Sequence, residues 1–207
     1  MKIHWDVEQG SDEWRLIRAG VVTASNADKI LTPGGKLSAQ AKGLINTCIA
    51  ERLLGYPAEE FAGNAWTERG KELEDEAFAF FHLMTGRAIK KCGFISRDET
   101  HNCGCSPDGV TTDSGGDITA GVEIKCPSAA KHIEYLRAND TGGYMPQVQF
   151  SMWVTGAQRW YFLSYYPGLP PVLKEIMRDD AWQDGFSAAM PEIIEEIESE
   201  TERLRQL

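Results

Sequence analysis

Apolar residues recur along this chain at two spacings, three to four residues in some stretches and two in others, with Gly, Pro, Asn and Asp between the stretches. Asp12 to Ala19 suits a short helix, and Thr23 or Ser25 can cap a second one running to about Leu31. Pro33, Gly34 and Gly35 make a loop. Ser38 is then placed to cap a helix through Leu44, Ile45, Ile49, Leu53 and Leu54, which Gly55 ends. A longer helix is predicted from about Ala65, because Trp66, Leu73, Ala77, Phe80, Phe81 and Met84 recur at helical spacing as far as Gly86. Ile89 to Ser96, Asn102 to Cys105 and Gly121 to Cys126 read as short strands entered by turns. Ser128 caps a helix to about Arg137, and Tyr144 to Thr155 reads as another. Arg159 to Tyr166 is an aromatic strand that Val172 to Met177 pairs with antiparallel, and the tail from Asp179 is helical and acidic.

No repeat, low-complexity tract or long linker divides this pattern, so the expected fold class is α/β, a central mixed β-sheet flanked by helices in a single domain spanning residues 1–207. With 42% hydrophobic residues the chain can bury one substantial core. It has no apolar run of about 18 residues and no signal-peptide pattern, so a cytoplasmic location with no membrane partner is expected. The cysteines Cys48, Cys92, Cys103, Cys105 and Cys126 are odd in number and irregularly spaced, which suits reduced thiols better than disulfides. His101, Cys103, Cys105 and Cys126 lack the paired spacing of a zinc site.

The net charge of −10 argues at first against a nucleic-acid partner. Its distribution weakens that objection, because residues 175–207 carry ten acidic and three basic side chains, leaving −3 for the rest. Charge alone does not decide the partner.

Residues 106–127 carry the chemistry. They read Ser-Pro-Asp-Gly, a polar turn, and then Val-Glu-Ile-Lys-Cys-Pro. In a strand Glu123 and Lys125 share one face while Ile124 points the other way into a core. A hairpin closing at Ser106 to Gly109 brings Asp108 beside Glu123, and two close carboxylates call for a hard divalent cation, with Mg2+ expected and phosphate as substrate. Read alone, the same residues also suit a surface turn and an exposed ion pair. Near the N-terminus, Arg18 can grip a phosphate bidentately and Ser25 adds a hydroxyl near a helix start.

The Pro-Asp, spacer, Glu-x-Lys pattern matches that of the PD-(D/E)xK nuclease fold. Three further blocks accompany it: Glu8 to Trp14 leading through Arg18 to Ser25, Arg69 to Glu74, and Tyr144 to Thr155. Together they resemble the YqaJ-like viral recombinase family, to which the lambda phage exonuclease belongs, over most of the chain. That resemblance implies a restriction-endonuclease-like core and a 5′ to 3′ exonuclease on linear double-stranded DNA. It implies release of 5′-mononucleotides, a 3′ overhang for recombination by strand annealing, a homotrimeric ring, an annealing-protein partner and a phage or prophage origin.

Asp108, Glu123 and the main-chain carbonyl of Ile124 then hold the metal, and Lys125 orients or deprotonates the attacking water. The resemblance singles out Glu74 among Glu72, Glu74, Asp75 and Glu76 for a second ion or an outer position, with Mn2+ able to replace Mg2+. It gives Gln147 a part in positioning Lys125 or the water, and assigns Arg18, Ser25 and Ser106 to a terminal 5′-phosphate. Two positions depart from the family: Lys36 and Lys131 stand where DNA-contacting arginines are expected, which keeps charge but loses the planar fork. Tyr144 and Trp153 read as packing residues. An internally cutting nuclease of the same fold and a noncatalytic DNA-binding module are the competing readings.

Overall fold

The computed structural model describes residues 1–58 and 65–207, with side chains for all of these except residues 65–72. The predicted placement of Trp66, and of the block Arg69 to Glu72, lies outside the described side chains.

Ser11 opens helix α1 (Asp12–Arg18) by accepting a hydrogen bond from the Trp14 N–H, so the helix begins where the sequence predicts. Thr23 makes no capping bond, and the predicted second helix is a 3-10 segment, Ala24–Lys29. Helix α2 (Ala41–Leu54) starts later than expected. Ser38 stands before it in a turn, accepting from the Gln40 N–H, while Gly55 ends it in the left-handed conformation. Helices α3 (Ala65–Thr85), α4 (Ala129–Ala138) and α5 (Met145–Thr155) follow the predicted positions. The acidic tail is α6 (Asp180–Arg205), capped by the Asp179 carboxylate on the N–H groups of Ala181 and Trp182.

The α/β class holds, but the strands form two mixed sheets where one was expected. The first has the order β1-β3-β4-β2, with β1 (Lys2–His4), β2 (Val22–Thr23), β3 (Phe94–Ser96) and β4 (Cys103–Cys105). The second has the order β5-β6-β7-β8, with β5 (Gly109–Thr112), β6 (Ile118–Lys125), β7 (Arg159–Ser164) and β8 (Val172–Met177). Between β4 and β5 run Ser106, Pro107 and Asp108. Pro107 has no N–H to give a ladder, so the pairing of the first sheet stops there and a new sheet begins at Gly109.

β5 and β6 form an antiparallel hairpin that closes at Asp113 to Asp117 and not at Ser106 to Gly109, which stand at its open end, and β6 pairs parallel with β7 through the crossover that α4 and α5 provide. On one face of the second sheet Trp160 and Phe162 join the main core with Phe150 of α5 and Phe186, Met190, Ile193 and Ile197 of α6. On the other, Ala120, Val122, Ile124, Tyr161 and Leu163 pack against Ala77 and Phe81 of α3. Gly121 lies under the Trp160 ring, where a Cβ would sit 2.2 Å from it. No disulfide joins the described cysteines; Cys48, Cys92, Cys103 and Cys105 are buried and Cys126 is half-buried.

Candidate active site

β6 emerges from the hairpin as an eight-residue strand whose last residues outrun β5, since pairing with β5 ends at Gly109 opposite Val122. Glu123 and Lys125 share the face opposite Ile124, as strand periodicity requires. Glu123 is 2% exposed, and its carboxylate is ion-paired with the Lys125 ammonium. Asp108, one residue before β5, folds back so that its Oδ2 accepts the Ile124 N–H at 2.5 Å. The Lys125 carbonyl faces β7, where it accepts from the Tyr165 N–H at 2.8 Å. Alternation therefore turns the polar groups of Ile124 to the opposite side, toward Asp108.

Burial first, and the neighbouring Glu123 next, push the Asp108 carboxyl up to about 7, against the pull of Lys125 and the Ile124 N–H. Burial alone would lower Lys125, but Glu123 and Asp108 outweigh it and hold the side chain as an ammonium. Two buried carboxylates beside one main-chain carbonyl are a hard-oxygen donor set, and their mutual destabilisation is what a divalent cation would relieve.

Glu74 on α3 also pushes Asp108 up, as the smallest of the influences on it. It is engaged by Lys91 at 3.0 Å, which also takes Asp75 at 3.1 Å and lies over the Phe78 ring. Of its acidic neighbours, Glu76 is taken by the Tyr165 hydroxyl at 2.5 Å, and Glu72 lies outside the described side chains. Among the described residues no three His, Cys, Asp or Glu side chains gather as a ready-made metal cage. Gln147 stands in the first turn of α5, one turn from Tyr144, and its amide has no hydrogen-bond partner among the described residues. Tyr144 packs as predicted, stacked on Phe162, yet its ring also lies 4.8 Å from the Lys125 ammonium. Trp153 is a core residue.

The three residues assigned to a terminal phosphate converge. Arg18 donates through Nη1 to Ser106 Oγ and through Nη2 to Ser25 Oγ, both at 3.0 Å, and its guanidinium lies 4.2 Å from the Trp14 ring centre. Trp14 and Arg18 are four residues apart, so one helix face presents both. Burial lowers Arg18 to about 10, which leaves it charged at neutral pH. Among the described residues no carboxylate forms an ion pair with it, and a guanidinium facing two hydroxyls keeps its charge for an anion.

Lys36 and Lys131 are not drawn into this cluster. Lys36 lies in the exposed Thr32–Lys36 turn, and Lys131 is an exposed residue of α4 paired with Glu134 at 2.6 Å. Sequence reasoning left Gln9 and Trp14 without roles, although both touch the Ser106 to Asp108 connection: Gln9 reaches the Pro107 carbonyl and Trp14 the Ser106 hydroxyl. The helical spacing of Trp14 and Arg18 was the available signal for the second.

A Pro-Asp turn feeding a strand with Glu-x-Lys at its open end, within a mixed α/β fold, defines a nuclease-type PD-(D/E)xK architecture. The chain belongs to the YqaJ-like viral recombinase domain family, which it matches over residues 13–158. An alkaline exonuclease from Laribacter hongkongensis superposes with a TM-score of 0.81 at 32% identity, covering 95% of this chain and 97% of that one. The same exonuclease in complex with dAMP gives a TM-score of 0.80. A phage-related exonuclease from Haemophilus somnus 129PT, at 21% identity and a TM-score of 0.63 over 90% of this chain and 95% of its own, shares the fold. A stretch of 60 residues is 42% identical to the ExoD protein of Escherichia coli (strain K12), 27% of this chain and 67% of ExoD. Among the described residues no helix is long and apolar enough to cross a membrane.

Proposed function

We propose that this chain is a metal-dependent exonuclease that digests one strand of linear double-stranded DNA from a phosphorylated 5′ end, in the 5′ to 3′ direction. It releases 5′-mononucleotides and leaves a 3′ single strand for phage-type recombination by strand annealing. The observation that carries this reading is the cradle of Arg18, Ser25 and Ser106, whose last member stands two residues from Asp108. Two residues span at most about 7 Å, so an end-phosphate held by Arg18 leaves a phosphodiester roughly one nucleotide further in at the carboxylates. An enzyme that cuts within a strand has no use for a pocket that takes a terminal monoester. The Laribacter exonuclease was crystallised with dAMP, a mononucleotide, and the same product class is proposed here.

Asp108, Glu123 and the Ile124 carbonyl would hold Mg2+, with Glu74 available to a second ion and Mn2+ able to substitute. The chemistry the ion supplies when bound is polarisation of the phosphate and a lowered pKa for the attacking water. Lys125, kept as an ammonium, orients that water or a phosphate oxygen and offsets developing negative charge. Gln147 brings an uncharged amide to the same face and positions Lys125 or the water. Lys131 and Lys36 follow duplex phosphates as point charges. The trimeric ring, the annealing partner and the cytoplasm of a bacterial host belong to the same proposal and rest on the family.

Digestion of end-labelled linear duplexes with 5′-phosphate or 5′-hydroxyl termini, with and without Mg2+, tests it alongside covalently closed circles. Mg2+-dependent mononucleotide release from the 5′-phosphate ends is expected, with circles left intact. Lys125→Ala should lower that release by at least about 10²-fold with the fold retained, and Arg18→Ala should erase the preference for 5′-phosphate. Cutting of circles, or an unchanged preference in Arg18→Ala, would overturn the reading.

A further inference from the structure

The N-terminal segment is fastened along the catalytic turn by groups that no step of the proposed reaction uses. The Gly93 N–H donates to the His4 carbonyl at 3.0 Å, and the Val7 carbonyl oxygen lies 2.0 Å from where a Gly93 Cβ would be, so the two backbones run in contact. Gln9 uses both amide hydrogens, donating through Nε2 to the Cys92 carbonyl at 2.9 Å and to the Pro107 carbonyl at 2.8 Å. Trp14 shares its Nε1–H between the Gly93 carbonyl at 3.1 Å and Ser106 Oγ at 2.9 Å. These acceptors fall on two short stretches, residues 92–93 and 106–107, and the second leads directly into Asp108.

Two consequences follow from peptide geometry. Pro107 has no N–H, so its carbonyl is the one main-chain polar group by which that residue can be held. That carbonyl belongs to the planar unit ending at the Asp108 Cα, so a bond that fixes its direction also fixes the plane from which the Asp108 side chain departs. Ser106 is tied separately, by Trp14 and Arg18. The Asp108 carboxylate is held by the Ile124 N–H, and Gln9 is the side chain that holds the main chain between it and Ser106.

We propose that Gln9 is a positioning residue that fixes the spacing between the terminal-phosphate cradle and the metal-binding carboxylates, and with it the number of nucleotides released per cut. The inference rests on the exonuclease reading above. With Gln9 in place the spacing admits the first phosphodiester alone. Without its two donated hydrogen bonds the Pro107–Asp108 plane is restrained from one side alone, by the Asp108 bond to the Ile124 N–H, so it can turn while the cradle stays put, and the second or third phosphodiester becomes reachable.

Gln9→Met keeps the length and removes both donors, whereas Gln9→Asn keeps the amide and shortens its reach. Trp14 still holds Gly93 and Ser106 in both variants, and the Asn variant, which keeps a polar amide, carries the test if the Met variant does not fold. Uniformly labelled 5′-phosphorylated duplex is digested with Mg2+, and the products are separated by length. Wild type should give mononucleotides. The folded variants should give di- and trinucleotides beside them, with kcat lower by about 10- to 100-fold and KM changed by less than about 2-fold, as expected for misplacement on the order of 1 Å. Thermal melting separates loss of fold from loss of register. A variant that melts earlier yet releases only mononucleotides at the wild-type kcat would overturn the role of Gln9. A wild-type digest without mononucleotides would overturn the exonuclease reading instead.

Discussion

Asp108 is a carboxyl on which burial and the Glu123 charge act in one direction and the Ile124 N–H and Lys125 in the other. The first pair prevails, raising it from 3.8 to about 7. Between about pH 4 and 7 the folded protein therefore holds a proton that the unfolded chain has already lost, and the metal-free fold loses stability as pH climbs through that window. Below it both states are protonated and the contribution of this group to the pH dependence vanishes. A divalent ion takes the ionised carboxylate, so it should stabilise the fold more at pH 8 than at pH 5. Thermal melts in a chelator and in Mg2+ at the two pH values check this, with the larger rise in Tm expected at pH 8. Equal rises, or an Asp108→Asn variant with the wild-type pH dependence, would refute the assignment. At this scale much of the candidate site was legible: Glu123 and Lys125 from strand periodicity, Asp108 from the turn expected to return beside them, Arg18 and Ser25 from their chemistry, and Ser106 from the resemblance. Gln9 was not, because its partners are the main-chain carbonyls of Cys92 and Pro107, 83 and 98 residues away. Nothing in the identities of those two residues marks them as acceptors.

The elements that hold the carboxylates are set by close approaches that only glycine permits. Gly109 opens β5, and a Cβ there would lie 2.0 Å from the Ile89 Cγ2 and 3.3 Å from the Phe78 ring. That approach lets Val110 bridge Lys90 and brings the start of β5, with Asp108 just before it, down onto α3. Gly109→Ala should cost about 1–3 kcal/mol of stability by overpacking, measured by urea unfolding. Ile89→Ala removes the obstructing methyl, so the double variant should be more stable than the sum of the two single losses. Strict additivity would show that the Ile89 contact does not set this loop. Helices α1 and α3 to α6 were legible because each is long enough to repeat its apolar positions or begins with a capping side chain. β1 and β2, at three and two residues, are too short to show alternation. The predicted strand from Ile89 contracts to Phe94–Ser96, since Gly93 is pressed against the Val7 carbonyl and Cys92 is held from the side by Gln9.

At the scale of the whole molecule, the candidate site lies in the seam between the two sheets. The proposed phosphate cradle is at the end of β4 and the carboxylates are at the ends of β5 and β6. A single expected sheet hid that seam, because the sequence marks the end of β4 and the start of β5 but not a change of pairing partners between them. The seam also explains how a chain of net charge −10 can present a site for a polyanion. Glu198 of α6 accepts a hydrogen bond at 2.8 Å from Asn102, next to the start of β4, whereas Ser106 follows its other end. Four residues of extended chain put the two ends roughly 13 Å apart. The exposed Glu195, Glu196 and Glu202 lie within about one helical turn of Glu198. Their charges should reach the site across a Debye length of about 30 Å at 0.01 M salt and be largely screened at about 8 Å near 0.15 M. Replacing all three with Gln should then raise kcat/KM on duplex DNA several-fold at the low salt, because an electrostatic barrier to approach is lowered. At 0.15 M the gain should shrink to less than about 2-fold. Steady-state digestion across a salt series measures both. A gain of the same size at both ionic strengths would mean that these acids act through contact or packing, and that the separation of the acidic tail from the site is not what makes the site accessible to DNA.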